Sequence, residues 1–465
     1  MHRRWIFAFS AACVASAVGA SPASAADAER KLNVLFILVD DLRPELGCYG
    51  APCQTPNIDK LAATSVRFDR AYVQYPLCNP SRSSLLSGRH PTKTGVFDNL
   101  TWFGASHPEW FSLPRLFKVH GYAALRAGKI FHGGIDDSEA WTAGGEPRNF
   151  TGAKTVRKVP ANRKQTSDSI VSLPGDGETH NDHKTVESTI RYLNEYADKP
   201  FFICCGFTKP HSPPTAAARF FDLYDAAKIE LPVDFAAKPA APAGFPAASI
   251  TPNGDLFIDR EASPDEAREM IRAYRASTSW TDFHVGRVLD ELDRLKLRDK
   301  TVVVFWGDHG YHLGEKGKWS KHQSLYEIGT RVPLMISLPG AAGNGKTCPR
   351  VVQTLDIYPT LAALCGIATP NDLDGFPLSQ LLNDPNLPWD RPAYTRAGTA
   401  DRYAAAVRTE RWRYAEYGSN GAEGTMLIDM QNDPHELKNL ADDPQHAAVR
   451  AEMKALLARE PRAAN

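Results

Sequence analysis

Apolar residues in this chain are gathered into four continuous runs, at residues 33–39 (NVLFILV), 201–207 (FFICCGF), 301–307 (TVVVFWG) and 332–338 (VPLMISL). Their near-continuous apolar character marks each as a strand buried on both faces. Residues 121–132 (GYAALRAGKIFH) read as a further short strand that ends in a lysine and a histidine. Between the runs the period changes to that of a helix. Thr55 and Pro56 open a helix as N-cap and first-turn residue, residues 185–196 place Val186, Ile190 and Leu193 on one face, and residues 356–365 form another helix. Ser263-Pro264-Asp265-Glu266 is a capping box. It starts a long helix with Ala267, Met270, Ile271, Tyr274, Val285, Val288, Leu289 and Leu292 among its apolar positions. The alternation of strands and helices predicts a large α/β domain.

Beyond Asp374 the texture changes. Short alternating stretches at residues 403–407, 412–417 and 426–428 predict a small antiparallel sheet, followed by a helix over residues 447–459. A boundary expected near Pro388 would divide the chain into a large α/β domain at residues 26–388 and an α+β subdomain at residues 389–465. Residues 141–178 and 232–252 are broken by Gly, Pro and Ala and are expected to be loop.

The first 25 residues stand outside this pattern. Arg3 and Arg4 precede an apolar run at residues 5–20, and Ala23-Ser24-Ala25 follows. That is the layout of a signal peptide cleaved after Ala25, so the expected location is periplasmic or secreted. No later segment is apolar enough to span a bilayer. The 465 residues carry 54 basic and 54 acidic side chains, which leaves no surplus charge to bind nucleic acid. Export permits disulfides, and Cys48 and Cys53 flank a turn short enough to pair. Cys204 and Cys205 are adjacent in an apolar run and are expected on opposite faces of a strand.

Candidate chemistry collects where the strands end: Asp40 and Asp41, Lys129 and His132, Lys209 and His211, Asp308 and His309, with Lys316, Lys318 and Lys321 after the last. Sites on α/β sheets form at such carboxyl ends. Asp40, Asp41 and Asp308 offer oxygens to a hard cation, calcium or magnesium, while the nitrogen of His309 is unusual for calcium. Cys78 stands at the head of a short helix, with Pro80 in its first turn and Gly88 at its end. A helix N-terminus favours an anion, and Arg82 adds a fork of donors suited to an oxyanion. Lys154, Arg157, Lys158, Arg163 and Lys164 form a basic cluster, ordinarily a solvated loop, that could also contact anionic groups.

Cys78-Asn79-Pro80-Ser81-Arg82-Ser83-Ser84-Leu85-Leu86-Ser87-Gly88-Arg89 resembles the Cys-x-Pro-Ser-Arg-x-x-x-Leu-x-Gly-Arg signature of the type I sulfatases, with Ser87 where that family usually has Thr. The segments at residues 42–50, 128–132, 209–211, 317–321 and 429–436 further resemble the iduronate-2-sulfatase-like group. The resemblance implies an alkaline phosphatase-like sandwich with a large, mixed, mostly parallel sheet. It implies that a maturing enzyme converts Cys78 to formylglycine, and that one Ca2+ is held by Asp40, Asp41, the residue at Cys78, Asp308 and His309. In that scheme Arg82 and Lys129 stabilise the hydrated aldehyde and the developing charge. His211 protonates the leaving alcohol, Lys321 holds sulfate oxygens and His132 helps to expel sulfate. The implied substrate is a sulfated saccharide, with exo attack on a 2-sulfated uronic acid as the first expectation. Two alternatives are a phosphonate or phosphate monoester hydrolase of the same fold and a non-catalytic glycan-binding protein. The second would require loss of a nucleophile, metal or sulfate position, and none is lost.

Overall fold

The computed structural model describes residues 31–146, 150–151, 154–155, 168–399 and 402–461. The segment expected to be a signal peptide lies outside the described residues, as do the side chains of the basic cluster at residues 154–164. A seven-stranded sheet organises the chain in the order Thr347–Gln353, Val66–Tyr72, Arg331–Ser337, Thr301–Gly307, Asn33–Val39, Phe201–Phe207, Ala123–Gly128. Arg331–Ser337 runs antiparallel to both of its neighbours, and every other pairing is parallel. Three of the predicted apolar runs lie side by side at the centre, where every residue of each strand is buried.

Side chains of the central strand alternate between two cores. Val34, Phe36 and Leu38 pack with Leu85 and Leu86 of the Cys78–Ser87 helix and with Leu116 and Phe117 of Leu113–Val119. Leu35, Ile37 and Val39 pack with Val186 and Leu193 of Asn181–Glu195 and with Val285, Val288 and Leu292 of Pro264–Arg294. Each such side chain, buried completely, contributes roughly 1.5–3 kcal/mol. Cys204 and Cys205 fall into opposite cores, as their adjacency in a strand demands.

Two strands escape the apolar pattern. Val66–Tyr72 (VRFDRAY) has partly exposed polar positions. Thr347–Gln353 is an edge strand, where Pro349 is tolerated because no neighbour needs its missing N–H. The stretch expected to be loop at residues 141–178 includes Val171–Leu173, which pairs in parallel with Thr215–Ala217. Residues 232–252 hold one 3-10 turn, Ala247–Ser249.

The capping box forms, with Glu266 N donating to Ser263 Oγ and Ser263 N donating to Glu266. Thr55 does not cap its helix. Its hydroxyl bonds Gly47 N and Asp59, and the buried Asp282 accepts from Asn57 N and Ile58 N at 3.0 and 2.7 Å. Cys48 and Cys53 are free thiols, with Cys53 Sγ turned to Tyr224 and the Arg275 carbonyl, so the pairing that their spacing allows does not form.

Ala393–Ala397, Ala404–Arg408, Trp412–Tyr417 and Gly424–Asp429 make a four-stranded antiparallel sheet against the Ala447–Leu457 helix. Glu327, just before the Arg331–Ser337 strand, ties this sheet to the large one. It accepts from Tyr72 Oη at 2.7 Å, from Arg408 Nε at 3.2 Å and from Arg413 Nη2. Burial alone would raise its proton affinity, but Arg408 and Arg413 outweigh burial and hold the carboxyl well below its ordinary range. Glu327→Gln leaves two buried guanidinium groups short of a counter-charge, so the expected loss of stability is about 3 kcal/mol at neutral pH, read by denaturant unfolding. The lowered affinity means that the pairing contributes fully above the ordinary carboxylate pKa and fades as acid protonates Glu327 below it. The gap between wild type and variant should therefore close on acidification, and a gap that does not depend on pH would contradict this account.

Candidate active site

The Asn33–Val39 and Thr301–Gly307 strands run in register, and Asp308 N donates to the Val39 carbonyl at 3.1 Å. Asp40, Asp41 and Asp308 thus leave the sheet side by side, each fully buried. Asp41 has a positive φ of 61°, a strained conformation for a non-glycine residue of the kind found at functional sites. Two bonds secure it: its N–H donates to Asp308 Oδ1 at 3.1 Å, and Tyr274 Oη of the long helix donates to its carbonyl at 2.7 Å.

The helix Cys78–Ser87 is buried along its whole length and ends at Gly88, whose φ of 69° suits the left-handed C-cap. It begins at Cys78 itself. Cys78 Sγ donates to Asp40 Oδ1 at 3.4 Å and lies 3.2 Å from His309 Nε2. Burial, reinforced by the Asp40 carboxylate, pushes this thiol well above its ordinary range, so unmodified Cys78 is a neutral thiol and a poor nucleophile. Arg82, one turn on, uses Nε on Asp308 Oδ2 at 2.8 Å and Nη1 on the Lys129 and Ile130 carbonyls at 2.6 and 2.9 Å. The expected open fork is therefore partly committed, and Nη2, 3.8 Å from Asp40 Oδ1, is the donor left.

The Ala123–Gly128 strand stops at Gly128, where φ is 73° and a Cβ would sit 2.1 Å from the Gly206 carbonyl oxygen. Only glycine fits that turn, and the turn delivers Lys129 to Asp40 Oδ2. His132 is buried in the same loop, three residues past Lys129. The loop after Phe201–Phe207 is fixed by Asp182, which accepts from Thr208 N, Thr208 Oγ1 and Lys209 N at 2.7–3.0 Å. Lys209 turns away to the His211 and Pro213 carbonyls. His211 points inward, with Nε2 3.8 Å from Asp41 Oδ2 and Nδ1 2.8 Å from the Ser212 carbonyl. Its side chain is 30% exposed, and burial of the rest, with the Lys321 ammonium nearby, favours the neutral imidazole.

Lys321 is held between Asp41 Oδ1 at 2.9 Å and Asp255 Oδ2 at 2.8 Å. His309 Nδ1 lies 3.2 Å from Asp41 Oδ1, and its Nε2 lies 3.4 Å from Asp308 Oδ1. Ligand atoms of Asp40, Asp41, Cys78 and His211 fall within 4.8 Å of one another, as do those of Asp40, Cys78, Asp308 and His309. The predicted metal set therefore converges, in two overlapping groups that share Asp40 and Cys78, and His211 joins it. Lys129 and the other cations hold Asp40 well below its ordinary range against the effect of burial. Asp41 is pushed well above it by burial, and by crowding from Asp40, Asp255 and Asp308 that Lys321 does not offset. Asp255 and Asp182 carry no motif that marks them in the sequence.

Residues 32–367 match the family model described as Sulfatase, and residues 314–463 match one described as N-sulphoglucosamine sulphohydrolase, C-terminal. The chain belongs to the sulfatase family. It is an enzyme that hydrolyses sulfate esters, and members of its family generally use a formylglycine and a divalent metal. Iduronate 2-sulfatase of Mus musculus is 33% identical over 410 residues, covering 77% of this chain and 72% of that protein. Delta 4,5-hexuronate-2-O-sulfatase of Bacteroides thetaiotaomicron is 30% identical over 474 residues, covering 93% and 89%. The fold is shared more widely. The crystal structure of a phosphonate monoester hydrolase of Agrobacterium radiobacter superposes with a TM-score of 0.74 at 21% identity, covering 92% of this chain and 95% of that one. No helix among the described residues is long and apolar enough to cross a membrane.

Proposed function

We propose that this sulfatase is exported and removes sulfate from a terminal 2-sulfated uronic acid of an acidic polysaccharide, using a formylglycine made from Cys78 by a maturing enzyme and one calcium ion. The observation that carries the reading is the gathering of Cys78, Asp40, Asp41, Asp308 and His309 at one strand-end pocket beside Lys129, His211 and Lys321.

The residues fit a hard divalent ion. Asp40, Asp41, Asp308 and Asp255 face Arg82, Lys129 and Lys321, so with all of them ionised the pocket carries one surplus negative charge. A sulfate ester is an anion and would be repelled; a divalent ion reverses the balance. Asp40, Asp41, Asp308, His309 and the residue at Cys78 would hold the ion. When bound, the ion would supply Lewis-acid polarisation of the sulfate beside the nucleophile that a hydrated aldehyde at Cys78 would provide.

The remaining work falls to side chains on the page. Arg82 braces the Lys129 loop through two carbonyls and keeps Asp308 in place. Lys129 and Lys321 face the charge that develops on sulfate oxygens. His211 Nδ1 is taken up with the Ser212 carbonyl, so the proton for the leaving alcohol belongs on Nε2, which faces the pocket. An arriving sulfate anion favours the imidazolium and so loads that proton. His132, buried in the Lys129 loop, is assigned the proton removal that releases sulfate.

The substrate reading is supported by relatives whose names specify iduronate 2-sulfate and a hexuronate 2-O-sulfate. The test is a panel comparing a terminal 2-sulfated uronate, the same sulfate placed internally, a neutral 6-sulfated hexosamine, and an aryl phosphate and phosphonate. The terminal uronate should give the highest kcat/KM. Preference for another sulfated sugar would overturn the substrate reading, and preference for the phosphorus esters would overturn the use of the fold for sulfate.

A further inference from the structure

We infer that Asp255 is a positioning residue for sulfate hydrolysis, holding Lys321 and the His211–Ser212 turn in one frame at the pocket. Asp255 is 4% exposed and uses its two oxygens on two different loops. Oδ2 accepts from Lys321 Nζ at 2.8 Å and Oδ1 accepts from Ser212 Oγ at 2.9 Å. Ser212 is the residue whose carbonyl fixes the His211 ring through Nδ1. One carboxylate therefore sets both the ammonium that faces sulfate oxygens and the imidazole that faces the leaving group.

The arrangement has a reason in the chemistry of a lysine. Lys321 is 2% exposed and its ammonium has three donors. Asp41 presents both of its oxygens, at 2.9 and 3.0 Å, and Asp255 presents Oδ2 at 2.8 Å, so the two carboxylates between them fix the direction of the ammonium. Asp41 is also a candidate metal ligand, so a bound ion would compete with the lysine for its oxygens. Asp255 lies outside both metal groups and can hold Lys321 whether or not an ion is bound. Lys318, on the same loop, is the contrast. It is equally buried, but its Nζ bonds the Thr251 carbonyl and hydroxyl, and Asp255 acts on it through space without the 2.8 Å contact it makes with Lys321.

Asp255 is itself placed by a brace between two loops. Asn253 Oδ1 accepts from Trp319 N at 2.8 Å, Leu256 N donates to the Trp319 carbonyl at 3.2 Å, and Phe257 N donates to Asp168 Oδ1 at 2.6 Å. The two bonds to Trp319 join the segment around Asp255 to the loop that carries Lys321, and the bond to Asp168 ties the same segment to a third stretch of chain, so the carboxylate is preorganised before substrate arrives.

The inference rests on the sulfatase activity of this pocket and separates from it experimentally. Inorganic sulfate is titrated calorimetrically into the mature, metal-loaded wild type, Asp255→Asn, Lys321→Ala and the double variant, and kcat and KM are measured on an aryl sulfate. Asp255→Asn keeps the size and a hydrogen-bonding group, so the fold should survive with Tm within a few degrees of wild type. Its sulfate Kd should rise about tenfold and its kcat should fall about a hundredfold, while Asp255→Glu recovers part of the loss. Because Asp255 acts on sulfate through Lys321, the double variant should bind sulfate no more weakly than Lys321→Ala alone. Wild-type affinity and turnover in Asp255→Asn, or a loss of sulfate affinity that adds to that of Lys321→Ala, would overturn the assignment. A fall in Tm with sulfate binding unchanged would overturn it too, since that is the mark of a structural staple. A wild type that turns over no sulfate ester would instead defeat the activity on which the inference stands.

Discussion

Cys78→Ala is expected to lower kcat by about 10⁴-fold or more while the protein stays folded, which is the scale of losing a nucleophile. The side chain is 1% exposed and its sulfur touches Asp40 and His309, so the change removes one small group from a polar pocket and leaves the helix behind it intact. The thiol itself is a poor candidate for the chemistry. Burial and the neighbouring carboxylate disfavour the thiolate, the nucleophilic form of a cysteine. Active enzyme should therefore carry an aldehyde at this position, trapped by a carbonyl reagent and located by mass spectrometry of the peptide that contains residue 78. Full turnover by protein whose Cys78 peptide shows only the thiol would refute the assignment.

The second large effect is at the carboxylates. Asp40→Asn should lose bound calcium and about 10³-fold or more in kcat/KM together, because charge stabilisation by a metal is worth several kcal/mol and each 1.36 kcal/mol is tenfold. Asp40 is shared by both metal groups and also meets Lys129 and Arg82, so no neighbour can replace its charge. Chelation of the wild type should abolish activity and added calcium should restore it, whereas the variant should not recover at the same concentration. Elemental analysis beside the assay checks both. Full activity in exhaustively metal-free protein would sink this account.

Two requirements made much of this enzyme legible from its sequence. A strand packed on both faces must be apolar throughout, so residues 33–39, 201–207 and 301–307 announced the sheet centre. A parallel sheet gathers its strand ends at one edge, so Asp40, Lys129, His211 and Asp308 could be expected to meet, and the motif at Cys78 already resembled the family whose model the chain matches. Local signals also placed the capping box at Ser263 and the stop at Gly88, because a cap is satisfied by residues a few positions away.

The tertiary structure decided what depends on distant segments. Val66–Tyr72 and Thr347–Gln353 pair with each other near the sheet edge, where polar side chains and proline are tolerated and the apolar signal fades. Cys48 and Cys53 stay apart because Cys53 is turned to Tyr224 and the carbonyl of Arg275, far along the chain. Arg82 spends most of its donors on Asp308 and the Lys129 loop, and Asp282 rather than Thr55 caps the helix at Pro56. Asp255 reaches Lys321 across 66 positions of sequence. A buried ion pair takes its strength from low dielectric and short distance, and both arise only once the two loops have folded against each other.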